Sequence, residues 1–132
     1  MIKHIRVLMG ALLLFGLTFS AQAQRARWDY LGEANVDGRA DHDVIRVGRS
    51  DGRFRAIQLR VEKGEIEFDR VVVHYQNGQS EPIEIRSRIK SGGMTRAIDL
   101  PGDRRVIESV EIFYRQGRWG DRRPRVRLFG IR

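Results

Sequence analysis

Ile66-Glu67-Phe68-Asp69-Arg70-Val71-Val72-Val73-His74-Tyr75, then Gln76-Asn77-Gly78-Gln79, then Ser80-Glu81-Pro82-Ile83-Glu84-Ile85 is the stretch on which the fold turns. Asn-Gly between two apolar-alternating arms is the strongest short hairpin signal, because both residues tolerate the positive φ of a two-residue type I′ turn. Ile66 and Phe68 lie on one parity of the first arm, while Val71, Val73 and Tyr75 lie on the other. Either a bulge near Asp69-Arg70 flips the parity, or both faces of the strand are partly buried. Pro82 cannot donate to a ladder, which suits an edge strand or a position at the start of a strand.

The same period of two continues outward. Upstream, Phe54 to Val61 alternates Ile57, Leu59 and Val61 with Gln58 and Arg60, and Glu62-Lys63-Gly64-Glu65 reads as a short hairpin loop with Gly64 at positive φ. Trp28 to Gly32 and Asp43 to Val47 precede it. Downstream, Arg96 to Leu100, Val106 to Tyr114 and Arg125 to Ile131 are strand-like, separated by Pro101-Gly102-Asp103 and by the loop Gln116 to Pro124. Trp28, Tyr30, Phe68 and Tyr114 read as core or core-edge aromatics. About eight strands at this spacing predict an all-β fold, an antiparallel, jelly-roll-like β-sandwich in a single domain over 24–132.

The first 23 residues read differently. Lys3 and Arg6 precede an apolar run from Val7 to Phe19, and Ser20-Ala21-Gln22-Ala23 supplies an A-x-A exit before Gln24. That is the layout of a cleaved secretory signal peptide over 1–23. The run has 13 residues, against the roughly 20 of a membrane span. No stable membrane anchor is expected, and a periplasmic or secreted location is.

The chain contains no Cys, so thiol chemistry and Cys-ligated metals are excluded and stability must come from core packing. Residues 24–132 carry 23 Lys plus Arg against 17 Asp plus Glu. The charge is uneven: 10 basic and 12 acidic residues up to Ile85, then 13 basic and 5 acidic from Arg86 onward. A positive field of this kind favours anionic partners.

Leu31-Gly32, Ile98-Asp99-Leu100-Pro101-Gly102 with Arg105, Ile107, Val110 and Tyr114, and Leu128-Phe129-Gly130 resemble a family of small exported bacterial β-proteins of unknown function. The resemblance spans Trp28 to Ile131 and implies export and an all-β fold. It brings no activity with it.

Catalysis is not expected. Only His42 and His74 lie beyond the signal segment, His74 reads as a surface position beside a hairpin, and no nucleophile elbow accompanies either. No cofactor is expected. Asp37, Asp41 and Asp43 are weak candidates for a Ca²⁺ site, against the commoner role of Asp in bonding turn N–H groups and pairing with Arg. The Asp-Arg neighbours Asp69-Arg70, Asp103-Arg104 and Asp121-Arg122 are expected to form exposed ion pairs.

The segment Arg115 to Arg127 is the candidate ligand site, with Arg115, Arg118, Arg122, Arg123 and Arg125 around Trp119. Guanidinium forks beside an indole face can grip a phosphate or uronate while a sugar or base stacks. Trp119 is read either as that platform or as a lid folded back on the core. The expectation is a non-enzymatic binding module of the bacterial envelope. It would engage an anionic polymer or envelope surface: a glycan, lipopolysaccharide phosphate or nucleic acid. The alternative is a structural or protein-interaction domain docking an unidentified protein partner by a sheet face or edge.

Overall fold

Nine strands form in the computed structural model, which describes residues 27–36, 41–48 and 51–132. Residues 1–23, read above as a signal peptide, and Asp37 lie outside the described residues. The strands are β1 (Asp29–Asn35), β2 (His42–Arg46), β3 (Arg53–Phe54), β4 (Ala56–Glu62), β5 (Ile66–Tyr75), β6 (Ser80–Ile89), β7 (Ile98–Asp99), β8 (Arg105–Tyr114) and β9 (Arg125–Ile131). They build two antiparallel sheets, ordered β1-β9-β4-β7 and β2-β8-β5-β6, with β3 pairing β8 beyond the end of β2. The fold is all-β.

One core lies between the sheets. Ile57, Leu59 and Val61 of β4 and Val126 and Leu128 of β9 meet Val71, Val73, Val110 and Ile112 of the second sheet, all essentially inaccessible to water. The parity switch in β5 is present: the ladder slips between Phe68 and Arg70 against both neighbouring strands, so Ile66, Phe68, Val71 and Val73 are all buried. Gly130 marks how tightly β9 packs, because a Cβ there would lie 2.7 Å from Phe54 and 2.8 Å from Leu31. Gly130→Ala is expected to destabilise the protein by about 1–3 kcal/mol through overpacking. An unchanged denaturant midpoint would show that Phe54 yields freely.

Three local expectations are corrected. The β5–β6 connection is a hairpin, but only Gly78 has positive φ, at 88°. Gly78 N–H donates to the Tyr75 carbonyl (3.0 Å) and Tyr75 N–H to the Gln79 carbonyl (2.9 Å). These mark a three-residue loop ending in a glycine bulge, not a type I′ turn. Glu62 to Glu65 is no hairpin either, since β4 and β5 belong to different sheets and the segment crosses between them. There Lys63 takes the positive φ (66°), while a Cβ on Gly64 would fall 2.8 Å from Pro124. Glycine is required for close approach, not for the turn. Finally, Tyr30 is not a core aromatic. It is 50% exposed and donates its hydroxyl hydrogen bond to Glu33 (2.7 Å) across the bulge in β1.

Candidate ligand-binding site

The loop between β8 and β9 is held by its own aromatic residue. Trp119 packs against the core, 6.0 Å from the Tyr114 ring, and donates its indole N–H to the Glu65 carbonyl at 3.0 Å. Gly117 makes room for the ring, because a Cβ there would stand 2.6 Å from Trp119 Cε2. A tight turn follows, with Arg122 N–H on the Trp119 carbonyl (3.0 Å) and Gly120 at φ 58°. Pro124 is buried over Gly64, and its carbonyl accepts Val36 N–H at 2.9 Å. The loop is thus fastened to the β4–β5 crossing at Glu65 and Gly64.

That fastening builds a cavity of about 730 Å³ lined by Lys63, Arg118, Arg122, Arg123, Asp121 and the side of Trp119. Asn35 and Ser91 add neutral hydrogen-bonding groups at its rim. Four cations face one carboxylate. Trp119 and Arg118 also wall a second hollow of about 370 Å³ containing Glu65, Glu67, Arg88 and Arg115. Glu67 and Arg115 in turn border a third, of about 450 Å³, with Asp69, Arg70, Glu84 and Arg86. The three hollows adjoin in a row through these shared residues, the first rich in cations and the other two of mixed charge, and the row forms the groove.

The structure divides the predicted arginines. Arg118, Arg122 and Arg123 gather with Trp119 at the basic end, and Arg115 stands between the second and third hollows, 3.9 Å from Asp69. Arg125 is elsewhere. It begins β9 and points to the outer face of the first sheet, where Arg125 and Arg127 interleave with Glu33 and Glu62 at 3.3–3.9 Å. Lys63 went unnoticed in the sequence, because it is remote from the loop and reaches the cavity only through the crossing of β4 to β5.

The lengthwise charge asymmetry is partly cancelled in space. Arg86 pairs with Glu84, Arg88 with Glu67, and Arg132 with Asp29, while Arg96 donates to backbone carbonyls of β6. Arg105 lies 3.8 Å over the Tyr75 ring and bonds the Pro101 carbonyl. Asp69 meets Arg115 instead of Arg70, whose guanidinium sits 4.0 Å over Phe113. Adjacent strand residues point to opposite faces, so sequence neighbours make poor ion pairs. Among the described residues, Lys63, Arg118, Arg122 and Arg123 have no carboxylate within ion-pair distance.

Asp41 and Asp43 are engaged separately. Asp41 is hydrogen-bonded to His42 Nδ1 (3.1 Å), and Asp43 accepts the Tyr114 hydroxyl at 2.5 Å. The Asp41 carboxylate holds His42 above the ordinary imidazole value, and His42 holds Asp41 below the usual carboxylate range. The imidazole's share of any added stability is present below the ordinary imidazole value and lost as pH rises through the raised one. The carboxylate's share is present above its ordinary value and lost as pH falls through the depressed one. By NMR titration, His42 is expected to have a raised midpoint that Asp41→Asn lowers. An identical midpoint in the variant would remove Asp41 as the cause.

No curated relative matches the sequence. Among solved structures, the fold is similar to part of AlgX from Pseudomonas aeruginosa, with TM-score 0.50 and 14% identity over 78% of this chain. This chain spans only 26% of AlgX. A family 29 carbohydrate binding module gives TM-score 0.32 at 12% identity, covering 81% of this chain and 90% of the module. The Drosophila NLP core gives 0.34 at 21% identity, covering 78% and 97%. The model of the family described as a domain of unknown function, DUF2541, matches residues 7–130, and the chain belongs to that family.

Proposed function

We propose that this protein is an exported, non-catalytic binding module of the bacterial envelope, periplasmic or secreted, that holds an acidic polysaccharide along the groove beside Trp119. The observation that carries the reading is the set Lys63, Arg118, Arg122 and Arg123 around one cavity, unpaired among the described residues while most other arginines of the basic half have partners. Unpaired guanidinium groups keep their forks available for a carboxylate or sulfate. The export part of the reading rests on the N-terminal pattern alone.

A polysaccharide suits the groove better than a nucleic acid. Glu65, Glu67, Asp69 and Glu84 line its farther hollows and would repel a polymer charged at every unit, so a polysaccharide with neutral sugars between its acidic ones fits where a nucleic acid does not. The same carboxylates, set beside Arg88, Arg115 and Arg86, can share hydrogen bonds with sugar hydroxyls. The wiring supports a ligand at one end of a jelly-roll sandwich. With β3 set aside, the two sheets interleave the chain as that fold does, and loops from successive strands collect at the sheet ends.

Docking by strand addition to β6 is less favoured. β6 is an edge strand, but Pro82 lacks a donor, Arg86 breaks the ladder at φ 46°, and Arg96 occupies the carbonyls of Glu84 and Ile85. These features blunt an edge against pairing. The test is retention on immobilised, partly methyl-esterified polygalacturonate and on single-stranded DNA over a salt series. Salt-sensitive retention on the polyuronate is expected, with weaker retention on DNA of equal charge. Retention on neither polymer at low salt would sink the reading.

A further inference from the structure

We propose that Ser80, His74 and Glu111 form a reactive-serine relay on the outer face of the second sheet, with Ser80 nucleophilic toward activated acyl donors. The site stands apart from the groove and does not depend on the reading given to it. Three strands bring it together. Ser80 of β6 lies directly opposite His74 of β5, and Glu111 of β8 is the diagonal neighbour on the other side. His74 Nδ1 is 2.7 Å from Ser80 Oγ, and His74 Nε2 is 2.5 Å from Glu111 Oε1. The partners are 6 and 37 residues away in sequence, so only the ladder reveals them.

The hydrogen bonds choose the tautomer. In the neutral ring, a Glu111 carboxylate can only accept, so Nε2 carries the proton and Nδ1 is left to accept from the Ser80 hydroxyl. A nucleophile, a base and a group orienting the base are then within hydrogen-bond reach of one another. His74 and Glu111 are partly shielded, with side chains 32% and 25% accessible, while Ser80 is exposed and open to a reagent. In the step, Oγ bonds to the electrophilic centre, the Oγ proton passes to Nδ1, and the leaving group departs to solvent. Glu111 offsets the imidazolium so formed. The flat sheet face suits acceptance of an acyl group more than repeated turnover.

Phenylmethylsulfonyl fluoride is a suitable probe, since the S–F bond breaks, Oγ–S forms and fluoride leaves. The full chain is incubated with it, and labelled peptides are quantified by mass spectrometry. Ser80 is expected to label at least about tenfold faster than the exposed Ser91 of the same molecule, within what a positioned base supplies. His74→Ala should bring Ser80 down to the Ser91 rate. Glu111→Gln, the second variant should His74→Ala fail to fold, should slow Ser80 severalfold and leave Ser91 unchanged. Equal labelling of Ser80 and Ser91 in the parent would overturn the proposal. So would a Ser80 rate indifferent to the variants that fold.

Discussion

Replacing Trp119 by Ala is expected to lower stability by about 2–4 kcal/mol, somewhat below the cost of deleting a fully buried aromatic. The indole is half-buried, packs on the core beside Tyr114, and its N–H bonds the Glu65 carbonyl. For a domain near 100 residues, each kcal/mol corresponds to about 4–8 °C in Tm, so the melt should fall by roughly 10 °C or more. Trp119→Phe keeps most of the ring contact and loses one exposed hydrogen bond, a cost of about 1 kcal/mol or less. Thermal and denaturant unfolding separate the two. If Trp119→Ala melts with the parent, the ring contributes no core cover. Because the same ring walls two hollows of the groove, the Ala variant should also bind the polyuronate less well at temperatures where it remains folded.

This double position is why Trp119 could not be assigned from sequence. A loop tryptophan beside glycines reads equally as platform or lid, and what decides is where the β4–β5 crossing runs. The all-β class was legible because burial imposes parity on most strands. The parity switch in β5 was legible as a bulge or a strand buried on both faces, and the register decides for the bulge. The hairpin at Asn77-Gly78 was legible, its turn type less so, since one positive φ suffices when the loop takes three residues. Glu62 to Glu65 misled because a four-residue connection between strands looks alike whether the chain returns in one sheet or crosses to the other. That error hid Lys63 from the site. Arg125 misled in the opposite sense: a run of arginines in sequence is split by the pleat of β9 into loop and sheet-face positions. The carboxylates that claim Arg125 lie on β1 and β4. The Ser80–His74–Glu111 ladder carried no sequence signal, because strand register cannot be read from one strand.

Changing Arg118, Arg122 and Arg123 together to Gln is expected to remove most binding to an acidic polymer and to flatten its salt dependence. Each cation that neutralises a polymer charge releases about 0.7–0.9 of a counterion, so the slope of log K against log salt should become shallower by about two to three. The three side chains are exposed, and surface changes away from caps and core usually stay within about 0.5 kcal/mol. The melt should therefore barely move, which distinguishes this variant from Trp119→Ala. Arg125→Gln is the paired control. Its guanidinium lies among Glu33, Glu62 and Asn35, and removing it leaves two carboxylates to share Arg127. That substitution should cost up to about 1 kcal/mol of stability and leave the salt slope unchanged, as befits a partly exposed ion-pair cluster. A triple variant that binds like the parent at every salt concentration would take the anionic ligand away from this loop. A slope that responds to Arg125 and not to the loop would move the ligand onto the face of the first sheet.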